Sequence, residues 1–164
     1  MTEESRSVIE TNMVAFDGPG SRPVTGEVDV VRIGEYTCPA RVVSTEASIG
    51  PMRGVVLVYV FRPVAADWSP EVDRGVLGVS NLLVPPVLVN KLPWTMRFFR
   101  RVSHLDFVGG EVLDQHCFRD TRGWFFDERS RRLEGSVEPV GEWGLQSYRT
   151  VDDRLSDALG IARV

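Results

Sequence analysis

The stretch Gly54-Val55-Val56-Leu57-Val58-Tyr59-Val60-Phe61 decides the fold class of this chain. It is apolar after its first glycine and rich in β-branched and aromatic side chains. A run of this length and composition is typical of a central strand covered on both faces. Valine occurs 26 times in the 164 residues, and valine fits a pleated sheet better than a helix. The sequence therefore predicts a β-rich domain.

A hairpin is predicted just before this strand. The segments 27–33 and 36–44 have strand-like patterns, and only Gly34 and Glu35 separate them. Two extended runs joined by a two-residue turn with glycine favour a β-hairpin. After the central strand, Pro85 and Pro86 interrupt an apolar segment, because consecutive prolines cannot donate to a sheet. Further extended segments are predicted at 112–119, 123–127, 133–137 and 143–148.

The last segment has the pattern of a helix. Val151, Leu155 and Leu159 recur every four residues, which gives one apolar face. Thr150 is the predicted N-cap, and Gly160 stands where a helix often ends.

These elements predict an α+β, β-rich fold. We expect a twisted, mostly antiparallel sheet or a partly open barrel, with a C-terminal helix packed against it. Residues 26–164 are predicted to form a single domain, preceded by a polar, partly mobile lead-in over residues 1–25. The predicted core consists of Val56, Val58, Val60, Leu83, Phe118, Leu155 and Leu159.

Composition excludes several classes of protein. The net charge is −4, which disfavours a nucleic-acid binder that depends on phosphate contacts. No apolar stretch reaches 18 residues, and the first five residues are polar and acidic, so we expect neither a membrane span nor a signal peptide. Cys38 and Cys117 are too few for a disulfide framework, which predicts a cytoplasmic protein with reduced thiols. No glycine-rich phosphate loop is present, so we expect no cofactor.

One group of residues could hold a metal ion. The ligand types are ones that zinc accepts, although their spacing matches no standard zinc motif, and the residues are His104, Asp106, Asp114, His116 and Cys117. In the alternative interpretation, these residues are two ordinary histidines and a buried thiol with no shared ligand. We favour this alternative and expect neither a metal site nor catalytic residues.

A basic segment extends from Lys91 to Arg101 and includes Arg97 and Arg100. It could form a patch for nucleic acid or an acidic partner. We favour the other interpretation, in which it pairs with the acidic stretch at 106–120.

Two acidic turns are the predicted partner-binding site. The first contains Asp67, Trp68, Glu71 and Asp73, and the second contains Asp127 and Glu128. Tryptophan often anchors interfaces, and surrounding carboxylates steer a basic partner. The alternative for Trp68 is that its ring folds back onto the core.

Several segments resemble one family in order and spacing. They are 26–36, 40–43, 55–61, 82–86, 94–99 and 144–148, followed by the helix up to Gly160. Together they are similar to the bacterial immunity protein 26 family over residues 26–160. The resemblance implies a non-enzymatic protein that binds a cognate bacterial toxin domain and neutralises it by steric and electrostatic blockade. The alternative function is a small metal- or ligand-binding domain, or an enzyme, that uses His104, Asp114 and His116.

Overall fold

The apolar run that begins at Gly54 lies in the middle of a six-stranded sheet in the computed structural model, which describes residues 10–164. The strands of this sheet are β1 (Met13–Val14), β2 (Glu27–Ile33), β3 (Tyr36–Ile49), β4 (Met52–Val60), β5 (Val87–Val89) and β6 (Phe99–His104). A second sheet contains β7 (Cys117–Arg119), β8 (Phe125–Phe126), β9 (Arg132–Leu133) and β10 (Val140–Glu142). The helices are α1 (Leu92–Thr95), α2 (Tyr148–Leu159) and two 3-10 turns, Arg74–Leu77 and Val79–Asn81.

The first sheet is antiparallel throughout. Its strands follow the order β1-β2-β3-β4-β5, and β6 pairs with the same β2 that β1 contacts. In the second sheet β10 runs parallel to β7, and the other neighbours are antiparallel. The β-rich α+β class and the mostly antiparallel pairing are therefore confirmed, with the strands divided between two sheets.

The predicted hairpin and central strand are also confirmed. Gly34 adopts a positive φ of 57°, which glycine accepts without steric cost, and the turn pairs Ile33 with Tyr36. β4 lies between β3 and β5, and residues 55–60 are buried because both faces of the strand are covered. Val56, Val58 and Val60 face the larger core cluster, and Tyr59 faces a second cluster.

Helix α2 closes one face of this sheet through Val151 and Leu155, which belong to the larger core cluster. Gly160 ends the helix in the left-handed conformation, as predicted. The predicted N-cap at Thr150 is wrong. The cap is Ser147, whose hydroxyl accepts a hydrogen bond from the backbone N–H of Thr150, so the helix begins one turn earlier.

Other corrections concern the length of elements and the depth of core residues. The predicted strand at 112–119 is reduced to β7, because the preceding backbone bonds to side chains, such as the Tyr59 hydroxyl that accepts from the N–H of Leu113. Of the predicted core, Leu83 and Leu159 are only partly buried at the margin of the larger cluster. Among residues 10–164, none of the helices has both the length and the apolar character needed to span a membrane.

Residues 10–25 are tied to the domain at several points. Met13 is buried, and its backbone N–H donates to the Asp152 carboxylate on α2 at 2.7 Å. The side chain of Asn12 donates to Ser156 on the same helix. Residues 1–9 of the predicted lead-in lie outside the described residues.

Candidate functional site

The strongest candidate for a binding surface is the loop of residues 66–73, which we call the acidic loop. Its carboxylates Asp67, Glu71 and Asp73 are exposed, and Val72 between them is 74% exposed. Within residues 10–164, none of these three carboxylates forms an ion pair. The loop thus presents three uncompensated negative charges around an apolar side chain.

Trp68 holds the acidic loop in place from beneath. Its ring is 9% exposed and packs into the second core cluster, which also contains Phe61 and Leu77. Its indole N–H donates to the backbone carbonyl of Asp73 at 2.9 Å, which connects the two ends of the loop. The ring of Trp68 therefore folds back onto the core, as one of the two interpretations from sequence expected. In this position Trp68 fixes the conformation of the acidic loop.

Backbone hydrogen bonds complete the shape of the acidic loop. The N–H groups of Val72 and Asp73 both donate to the carbonyl of Ser69, at 3.0 and 3.2 Å. The Asp73 carboxylate accepts from the N–H of Gly75 and caps the 3-10 turn that follows. A loop with its conformation fixed in this way loses little entropy when it binds.

The second predicted acidic turn has an internal role. The Asp127 side chain is buried and accepts from the backbone N–H groups of Arg129 and Arg131, as well as from the Arg131 guanidinium at 2.7 Å. These bonds shape the hairpin turn between β8 and β9. Asp127 is therefore not an exposed partner contact, because its oxygens are needed to organise the turn.

Glu128 belongs to a chain of polar groups that sequence reasoning missed. Its carboxylate lies 3.1 Å from Nδ1 of His116, and Nε2 of the same imidazole lies 2.5 Å from the Tyr59 hydroxyl. The hydrogen bond to His116 lowers the pKa of Glu128, whereas burial raises the pKa of Tyr59 to about 12. His116 and Glu128 line a cavity of about 540 Å³. No local sequence motif could reveal this group of hydrogen-bonded side chains, because Tyr59 and His116 are 57 residues apart.

The candidate metal ligands are held by different partners. The His104 ring bonds to the carbonyl of Thr25, His116 bonds to Tyr59, and the Cys117 sulfur accepts from the N–H of Val137. Across the part of the chain that the structure describes, no group of three or more His, Cys, Asp or Glu side chains could hold a metal ion.

The predicted pairing of the basic segment with the acidic stretch at 106–120 is wrong for the described residues. Glu111 pairs instead with Arg74 and Arg41, and Arg101 pairs with Glu27. The reason is the register of β6 on β2, which places Arg101 opposite Asp29 and beside the buried carboxylate of Glu27.

Comparison with known proteins does not identify a family for this chain. Comparisons with protein-family models, with curated proteins and with solved structures find no match for this chain.

Proposed function

We propose that this chain is an immunity protein that binds a cognate bacterial toxin domain and neutralises it by covering a functional surface. The observation that carries the proposal is the acidic loop, which is exposed, negatively charged and held rigid by Trp68. The expected class of partner comes from the resemblance, in order and spacing, of segments within residues 26–160 to the immunity protein 26 family.

The charge of the acidic loop indicates the kind of surface that it fits. Three carboxylates without internal cations attract a basic surface over a distance of about 10 Å at ordinary salt concentrations. They increase the rate of encounter and disfavour acidic partners. Val72 at the centre of the loop supplies an exposed apolar surface, and its removal from water on binding is favourable.

Neutralisation by blockade requires no reacting group on this chain. It requires a surface that keeps its shape against the toxin, because each side chain that becomes ordered on binding reduces affinity. The hydrogen bonds from Trp68, Val72 and Asp73 meet this requirement before the partner arrives.

The test uses the product of the gene adjacent to this one as the toxin candidate. The two proteins are co-expressed, and both co-purification and protection of the host cells are measured. A stable complex with protection is expected. Absence of both would refute the proposal.

The role of the acidic loop is tested with charge-neutral variants. The triple variant Asp67→Asn, Glu71→Gln, Asp73→Asn keeps the shape of each side chain and removes three charges. We expect its association rate to fall about tenfold or more at low salt, since steering accounts for rate increases of that size. The matched control replaces the exposed Glu35, Glu46 and Glu134 by glutamine. Equal association rates for the two triple variants would exclude this loop as the contact surface.

A further inference from the structure

A cleft lined by arginines lies on the side of the first sheet where residues 16–22 cross the turn after α1. We call it the arginine cleft. It has a volume of about 190 Å³, several times the ~30 Å³ that one water occupies in the liquid. Its lining consists of Phe16, Asp17, Pro19, Ser21, Trp94, Arg97, Phe99, Arg100 and Arg101.

Both walls of the arginine cleft are fixed by hydrogen bonds. The N–H of Phe16 donates to the carbonyl of Arg97 at 2.8 Å, and the N–H of Ser21 donates to the carbonyl of Trp94. Gly20 permits this approach, because a Cβ atom there would clash with the backbone of Thr95. The cleft is therefore built into the fold.

The guanidinium groups keep hydrogen-bonding capacity toward the cleft. Arg97 donates through Nη1 to the carbonyl of Gly18, which leaves its other N–H groups without a partner in residues 10–164. Arg100 stacks on Phe16 at 4.5 Å from the ring centroid, and within the same residues it makes neither a side-chain hydrogen bond nor an ion pair. Arg101 contacts Glu27 and the carbonyl of Arg22 through Nη2.

The backbone of Arg97 ends α1 in the left-handed conformation, with a φ of 66°. Its N–H donates to the carbonyl of Trp94 at 3.1 Å, and the N–H of Phe98 donates to the carbonyl of Pro93 at 2.9 Å. This pair of bonds is the Schellman pattern that commonly ends a helix, so the positive φ belongs to the helix end. The bond from Arg97 Nη1 to the carbonyl of Gly18 holds its side chain against the segment 16–22.

Charge decides which ligand fits. Arg101 is already paired with Glu27, so Arg97 and Arg100 together with Asp17 give the lining an excess of one positive charge. Buried Trp94 and Phe99 form an apolar floor, which strengthens electrostatic attraction above it. A phosphate group carries close to two negative charges at neutral pH and accepts several hydrogen bonds, and guanidinium forks match its geometry. A carboxylate has two oxygens and can engage one guanidinium fork, whereas a phosphate has enough oxygens for the N–H groups of both Arg97 and Arg100.

We propose that the arginine cleft binds a phosphate group, either as inorganic phosphate or as a phosphomonoester. Arg97 and Arg100 would bind its oxygens through their unpartnered N–H groups. This site is independent of the proposed toxin-binding surface, and its test needs no toxin.

The test measures binding by calorimetry at pH 7.5 and constant ionic strength, with inorganic phosphate, phenyl phosphate and acetate as probes. The variants are Arg100→Gln, Arg100→Lys and the control Arg53→Gln, since Arg53 is exposed on β4 outside the cleft. Thermal unfolding of each variant checks that it is folded.

Saturable phosphate binding is expected for the native chain and for Arg53→Gln. Arg100→Gln should weaken it about tenfold or more, as expected for loss of hydrogen bonds to a charged group. Arg100→Lys, which keeps the charge without the fork, should give an intermediate affinity. Tighter binding of phenyl phosphate would identify a phosphomonoester as the ligand, and tighter binding of inorganic phosphate would identify the free ion. Absence of saturable binding, equal affinity for acetate, or unchanged affinity in Arg100→Gln would overturn the proposal.

Discussion

Replacement of Asp29 by asparagine should change how the stability of this protein depends on pH. Glu27 and Asp29 are both fully buried and lie two residues apart on β2, so they share one face of the strand. Arg101 donates to one oxygen of Glu27, and the Trp94 indole donates to one oxygen of Asp29 at 3.0 Å. The remaining oxygens, Glu27 Oε2 and Asp29 Oδ1, are buried and have no hydrogen-bond partner among residues 10–164. We expect the pair to share one proton, because two ionised carboxylates buried side by side on one face repel each other.

The sign of the pH effect follows from where the proton is bound. Burial, and then the neighbouring Glu27 carboxylate, raise the pKa of Asp29 well above its usual 3.8. Between 3.8 and the raised pKa, the folded state holds one proton more than the unfolded state. The stabilisation is complete below 3.8 and is lost as pH rises through the folded pKa, with a slope of up to about 1.4 kcal/mol per pH unit.

Asparagine removes this titration while it preserves the contacts. Its oxygen can accept from Trp94, and its amide can donate to the free oxygen of Glu27. Urea unfolding from pH 4 to 9, followed by tryptophan fluorescence, should show Asp29→Asn becoming progressively more stable than the native chain as pH rises. Asp67→Asn, at an exposed position, is the matched control and should give a curve parallel to the native one. Parallel curves for Asp29→Asn and the native chain would refute the shared proton.

Three further variants test contacts that fix the loops and the last helix. Glu111→Gln should reduce the free energy of unfolding by about 3 kcal/mol in urea titrations, because it removes the counter-charge of the fully buried Arg41 and the bidentate partner of Arg74. A loss below about 0.5 kcal/mol would show that Arg41 needs no counter-charge. Ser147→Ala should cost about 1 kcal/mol in thermal unfolding, and Thr150→Ala should cost less, since only Ser147 caps α2. The reverse order would contradict the assigned cap.

Local patterns in the sequence were sufficient for the elements with a strong period or a defined turn. The apolar run after Gly54 predicts β4, the Gly34-Glu35 turn predicts the hairpin, and Gly160 predicts the end of α2. Each of these signals depends on neighbours within a few residues. The same short range limits the precision of the bounds. Extended segments are predicted at 123–127 and 133–137, whereas β8 and β9 have only two residues each and β9 begins one residue before the predicted segment.

The contacts that were not predicted join residues that are distant in the sequence. Asp29 meets Trp94 65 residues later, and Asn12 meets Asp152 across 140 residues. The sequence of a strand does not show whether a buried carboxylate such as Asp29 will meet a hydrogen-bond donor on another element. Trp68 shows the same limit, since the sequence allowed both an exposed and a buried ring, and only the fold placed Leu77 and Phe61 around it.

The net charge of −4 conceals a separation of charge that matters for both proposals. If the basic segment had paired with the acidic stretch after it, Arg97 and Arg100 would have been neutralised. Instead Glu111 pairs with Arg74 at 2.9 Å, and Arg97 and Arg100 form no ion pair among residues 10–164. The acidic loop is uncompensated in the same way. A protein gains nothing in folding stability from such surfaces, because like charges repel and surface pairs that could relieve them contribute up to about 1 kcal/mol each. Both surfaces are therefore features that the fold does not require, and a ligand of opposite charge would compensate each of them.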